Sequence, residues 1–238
     1  MTVSHLLLLS LVVLGAAFVQ GATGMGFALI TAPVIGLVRP ELLPVCVLVL
    51  MLPLNIYVLW RERSAIDWPG ANWITAGRVL GTGGGLWVLA ALSAGHLAWF
   101  VGLSTIAASL ATLVMPAFSP GRSAFVTAGL VTGVTETATG IGGPPLALVY
   151  QHQPPATMRA TLAFCFLVGE LMSLATLLAT GHIQGMQLMA TLYLLPALVL
   201  GALASRLVHY RIDARFLRIF VQVFAVASGL VLIVRQIW

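Results

Sequence analysis

The sequence predicts an all-α polytopic membrane protein made of two inverted repeats, each a re-entrant or broken helical hairpin followed by three transmembrane helices. Three observations carry that prediction. Of the 238 residues, 60% are hydrophobic and 7% charged, with a mean hydropathy of +1.07, whereas a soluble domain carries about 25% charged residues. Apolar runs recur along the whole chain, the pattern of a polytopic helical protein. Two glycine-rich breaks interrupt those runs, and they align: "ATGMGF" at 22–27 matches "ATGIGG" at 138–143.

The first repeat is expected over 1–118 and the second over 119–238. A bilayer crossing needs about 20 apolar residues. Six segments qualify: 42–60, 72–92 and 96–116 in the first repeat, and 157–180, 187–208 and 215–237 in the second. Regions 3–38 and 123–151 differ. Each is a pair of shorter arms, 4–19 with 27–38 and 123–137 with 144–151, around its break. At about 1.5 Å per residue, no such arm crosses a hydrocarbon core of about 30 Å comfortably. The opening "MTVSHLLLLSLVVLGAAF" resembles a signal peptide but lacks a basic n-region and a convincing cleavage site, so it is read as mature structure.

Charge placement selects between a hairpin and a single broken crossing. The net charge of +5 comes from arginine alone, since lysine is absent. If both broken regions enter and leave on one side, Arg61, Arg63, Arg122, Arg159, Arg206, Arg211, Arg215 and Arg218 share a face. Arg39 and Arg235 fall on the other, and Arg78 lies within a segment. The crowded face is then cytoplasmic. A single crossing at 123–151 would move the five arginines from 159 to 218 outside and abolish the bias. These arginines are topology signals, not a nucleic-acid surface. A multi-pass protein of the bacterial inner membrane is expected, and nothing in the sequence points to an oligomeric state.

Irregular backbone at membrane depth needs polar partners from protein or a water-lined cavity. Glycine permits the turn, Thr23 and Thr139 can cap the helix that follows, and Pro144 and Pro145 suit its first turn. The free N–H groups and positive dipole end of each returning helix make an anion site, with Gln20, Thr23, Gly24, Gly26, Thr139, Gly140, Gly142, Gly143 and Pro144 as candidate binding residues. Carbonyl groups of the descending arms can hold a cation instead, and close helix packing through glycine is the bland alternative. Three ionisable side chains fall within the hydrocarbon. Glu136 is the candidate proton carrier, and Arg78 and Glu170 are a candidate intramembrane pair. Asn55 suits a helix-packing hydrogen bond. Cys46 and Cys165 read as buried hydrophobes. The five histidines lack metal-ligand spacing, so neither a metal nor a cofactor is expected.

The stretches "GATGMGFALITAP" at 21–33, "GLVTGVTETATGIGGPPLALVY" at 129–150 and "PATMRATLAF" at 155–164 resemble the sulfite exporter TauE/SafE family. The likeness spans the chain in layout and is sharp at the second break. It implies a secondary carrier of sulfite, organosulfonates or related anions, not an enzyme, with Gly24, Gly26, Gly140, Gly142, Gly143 and Pro144 at matching positions. Two departures stand out: Gly26-Phe27 replaces a longer glycine run, and Glu136 is not carried over from the family. A membrane-embedded lipid-phosphate phosphatase using Glu136, Thr135 or Thr137 and Arg159 is the rival reading, and a cation carrier or channel is another.

Overall fold

A computed structural model of the protein describes residues 3–114, 119–208 and 214–234. Arg211, Arg235 and His209 lie outside the described residues, as do the side chains of Arg206, Arg215 and Arg218. Among the described residues ten α-helices follow one another: α1 Val3–Thr23, α2 Phe27–Val38, α3 Val45–Glu62, α4 Trp68–Ala91, α5 Ala94–Val114, α6 Arg122–Thr139, α7 Gly143–Tyr150, α8 Pro155–Ala179, α9 Gly185–Val208 and α10 Ala214–Val234. No strand occurs among the described residues.

Local chemistry sets the breaks. Helix α1 ends at Gly24, whose φ of 82° is left-handed, and α6 ends at Gly140 with the same φ. An L side chain strains there, so glycine closes both helices. The arms are longer than expected. Helix α1 has 21 residues, about 31 Å, and is long and apolar enough to cross a membrane by itself. The expected arm of 4–19 was too short because a helix tolerates Gly21 and Thr23. The Thr23 hydroxyl donates back to the Val19 carbonyl at 3.0 Å, which extends the last turn.

By length and hydropathy, four helical stretches qualify as spans among the described residues: α1, Val45–Ala65, α8 and Gly185–Ser205. Helix α4 has 24 residues, but its glycines and Arg78 dilute its hydropathy.

Helices α3 and α8 run antiparallel through the centre. Leu48 packs near Leu177 at one end, Asn55 bonds Glu170 midway and Glu62 meets Arg159 at the other end. The most extensive packing beyond this core is α4 on α6, α1 on α9 and α5 on α10. Renaming α1–α5 as α6–α10 and the reverse maps these pairings onto one another: α4–α6 becomes α9–α1, α4–α8 becomes α9–α3, and α2–α10 becomes α7–α5.

Helices α4 and α6 touch backbone to backbone. A Cβ added to Gly77 would meet the Val126 carbonyl, one on Gly81 the Leu130 carbonyl, and one on Gly129 the Ile74 carbonyl. Glycines spaced by four make this approach possible. Large apolar side chains such as Leu80, Trp87, Leu192 and Leu200 point outward, as a lipid-facing surface requires.

Each hairpin starts and finishes at one end of the bundle. In the second, Arg122 at the start of α6 lies over Trp73 near the start of α4. Tyr150 at the end of α7 donates to Asp67, the cap of α4, at 2.8 Å. At the other end of α3, Arg39 pairs with Glu41. Partial burial pushes the Glu41 carboxyl up, but its own backbone N–H, Arg39 and the field of His5 near the start of α1 outweigh this and lower it. Among the described arginines, Arg61, Arg63, Arg122 and Arg159 thus lie at one end, Arg39 at the other and Arg78 inside.

Candidate functional site

The first break is stitched by side chains of α1. The single Thr23 hydroxyl proton is shared between the Val19 and Met25 carbonyls, and its oxygen accepts the Met25 N–H at 3.3 Å. Gly26, at φ 113°, forms the N-cap of α2 without a side-chain bond. Gln20 does the capping instead, its Oε1 accepting the Phe27 N–H at 3.1 Å from a fully buried position. In the second break, Thr139 donates to the Thr135 carbonyl and accepts the Ile141 N–H at 3.1 Å. Thr23 and Thr139 therefore bind the ends of the helices they belong to and do not cap those that follow. Each hydroxyl donates to its own preceding turn and accepts the loop N–H two residues on, so neither serves the next helix.

The tip glycines are surrounded by protein to different degrees. A Cβ on Gly140 would lie 2.9 Å from Val47 Cβ, and one on Gly24 would lie 2.5 Å from Arg159 Cγ. A Cβ on Gly142 would collide with Glu136 Oε2. Gly143 differs, since only Phe166 Cζ, at 3.8 Å, would meet its Cβ. Helix α7 opens on Gly143, Pro144 and Pro145, so two of its first-turn positions have no N–H to offer.

Both breaks reach one cavity of about 20 Å³, lined by Gln20 and Gly26 from the first, Gly143 and Pro144 from the second, and Met51 and Phe166 from the central helices. That volume holds about one water. Through Met25, Leu29 and Gln222 it adjoins a wider cavity of about 190 Å³, where Thr23 and Arg159 lie. Gly24 lines a third of about 40 Å³ with Arg61 and Arg159. Thr139, Gly140 and Gly142 line none of the three. A larger cavity of about 270 Å³ beside Pro144 and Pro145 is walled almost wholly by apolar groups from α5, α6 and α7 and does not suit an anion.

Beside the second break lies a fully buried charge cluster. Arg78 pairs with Glu136 and donates to the Cys165 carbonyl at 3.2 Å. Glu170 accepts from Asn55 at 2.7 Å. The ion partner of Arg78 is thus Glu136, not the expected Glu170. Backbone contact between α4 and α6 brings residue 78 against residue 136. Gly169 makes the room, since its Cβ would fall inside the Arg78 guanidinium. Glu136 Oε2 and Glu170 Oε2 receive no hydrogen bond from the described residues.

Sequence reasoning missed Met51, Phe166, Gln222 and the Glu62–Arg159 pair. Gln222 had a usable signal, a lone amide in the apolar run of α10. Arg159 was read as a topology marker and as a piece of the rival phosphatase site, not as the partner of Glu62. The Gly77, Gly81, Gly85 spacing was also legible and went unread.

No curated protein and no solved structure matches the chain. The family model described as "Sulfite exporter TauE/SafE" matches residues 9–232, nearly the whole length. Paired glycine breaks meeting inside an apolar helical bundle suit such membrane transporters. The chain belongs to the sulfite exporter TauE/SafE family, whose members are transporters and not enzymes.

Proposed function

We propose that this protein is a secondary transporter of a small oxyanion, sulfite or an organosulfonate, held at mid-depth between its two glycine-rich breaks. The observation that carries the reading is the shared cavity, with Gln20 and Gly26 on one wall and Gly143 and Pro144 on the other. Two helices begin there, and although Gln20 holds the Phe27 N–H and Pro144 and Pro145 offer none, the positive dipole end of each helix favours an anion. A cavity of about 20 Å³ is too small for the cargo, so the breaks separate to admit it. Alternating access by two inverted repeats, 1–118 and 119–238, is supported by the way helix pairings exchange when the halves are renamed. The arginine-rich end is cytoplasmic by the positive-inside rule.

Proton coupling is part of the same proposal, with Glu136 as carrier. Two carboxylates and one guanidinium, all buried, sum to one negative charge, which is costly at this depth. One proton brings the cluster to neutrality, and Glu136 lies against the tip at Gly142.

The test is flux into proteoliposomes of labelled sulfite, taurine and sodium, with and without a proton gradient. Sulfite or taurine is expected to move and to respond to the gradient, while Glu136→Gln transports without that response. Sodium movement alone overturns the anion reading. An unchanged pH response in Glu136→Gln overturns the coupling.

A further inference from the structure

Near the arginine-rich end, two cations compete for one carboxylate. Arg159 grips Glu62 in a bidentate fork: Nε donates to Oε2 at 3.0 Å and Nη2 to Oε1 at 3.0 Å. Arg61 Nη2 donates to the same Oε1 at 2.6 Å. The three groups sum to one positive charge. Cavities of about 190 and 40 Å³ flank Arg159, and among the described residues their charged lining groups are Arg61 and Arg159. Glu62 lines neither. Uncharged hydrogen-bonding residues complete the walls, Thr23 and Gln153 on one side and Gln20 and Ser205 on the other.

The planar guanidinium fork fits any anion that presents two oxygens, whether carboxylate, sulfonate or sulfite. Glu62 fills that fork here, with its side chain 11% exposed and that of Arg159 28% exposed. We propose that Arg159 and Arg61 form a loading site for the oxyanion at the mouth of the first break, and that Glu62 is its built-in competitor. The proposal rests on the oxyanion reading above. The arriving anion displaces the Glu62 carboxylate from Arg159. Arg159 Cγ and Cδ occupy the space a side chain on Gly24 would need, so movement of the guanidinium is felt at the break. Cargo then passes from the wider cavity to the shared one along Met25, Leu29 and Gln222, which line both.

The experiment measures initial rates of sulfite flux against sulfite concentration in proteoliposomes for the wild type, Arg159→Gln, Arg61→Gln and Glu62→Gln, with folding checked by thermal unfolding in detergent. Removing the competitor is expected to lower the half-saturating concentration about threefold in Glu62→Gln, with maximal rate kept. Removing the fork in Arg159→Gln raises it about tenfold, and Arg61→Gln raises it less. A purely structural ion pair gives the same sign for Glu62→Gln and Arg159→Gln, because both break one bond. That result, in a wild type that carries sulfite, overturns the loading site and leaves the transport reading standing. A wild type that carries no oxyanion overturns both.

Discussion

Gly143 is the residue at which geometry and transport separate most cleanly. The other tip glycines either adopt left-handed backbone or abut protein atoms, so their substitution disturbs folding as well as function. Gly143 has an ordinary φ and would meet only Phe166 at 3.8 Å. Gly143→Ala is therefore expected to fold with an unchanged unfolding temperature. A methyl group in a cavity of about 20 Å³ should slow transport by about tenfold or more, roughly 1.4 kcal/mol of barrier. Normal flux in this variant would remove the shared cavity from the pathway. Glu136 teaches a different lesson. Its burial was legible, because a carboxyl in the middle of an apolar run has nowhere else to go. Its partner was not. Arg78 was expected against Glu170, and helix register set it against Glu136 instead.

That register is a property of elements. Gly77, Gly81 and Gly85 of α4 face Gly129 and Gly133 of α6 closely enough for backbones to touch, which fixes the register of α4 on α6. A side chain at Gly81 must push the Leu130 carbonyl away, whereas one at Gly83 meets nothing within 4 Å. Gly81→Leu should lose about 1–3 kcal/mol of stability, and Gly83→Leu should lose almost none. Comparing their thermal unfolding in one detergent checks the contrast. The breaks themselves were legible because a glycine cluster in an apolar run marks a turn. Helix ends were less so. Thr23 and Thr139 read as caps for the helices ahead, yet each hydroxyl bonds the turn behind it. Sequence position alone cannot distinguish the two geometries.

On the scale of the whole molecule, the layout of paired breaks was readable from two short aligned motifs and the run of arginines. The cavities were not, because they arise where helices from distant parts of the chain converge, α1, α2, α3, α7, α8 and α10 around the shared one. The sidedness of the bundle is testable directly. In a variant with Cys46 and Cys165 replaced by alanine, single cysteines at the exposed positions of Arg63 and Glu41 should react with an impermeant maleimide from opposite sides. The Glu41 position is expected to label in intact cells, and the Arg63 position only after permeabilisation. Labelling of both from one side would dismantle the hairpin topology. The buried charges add one more consequence. Neutral Gln20 aligns with Glu136 at the offset of the two motifs, so among the described residues the fully buried ion pair sits beside the second elbow, while the pair near the first is partly exposed. Perfectly matched halves would leave an idle carrier equally disposed to either compartment. On the proposed alternating-access scheme, mismatched halves would give it a resting preference for one compartment.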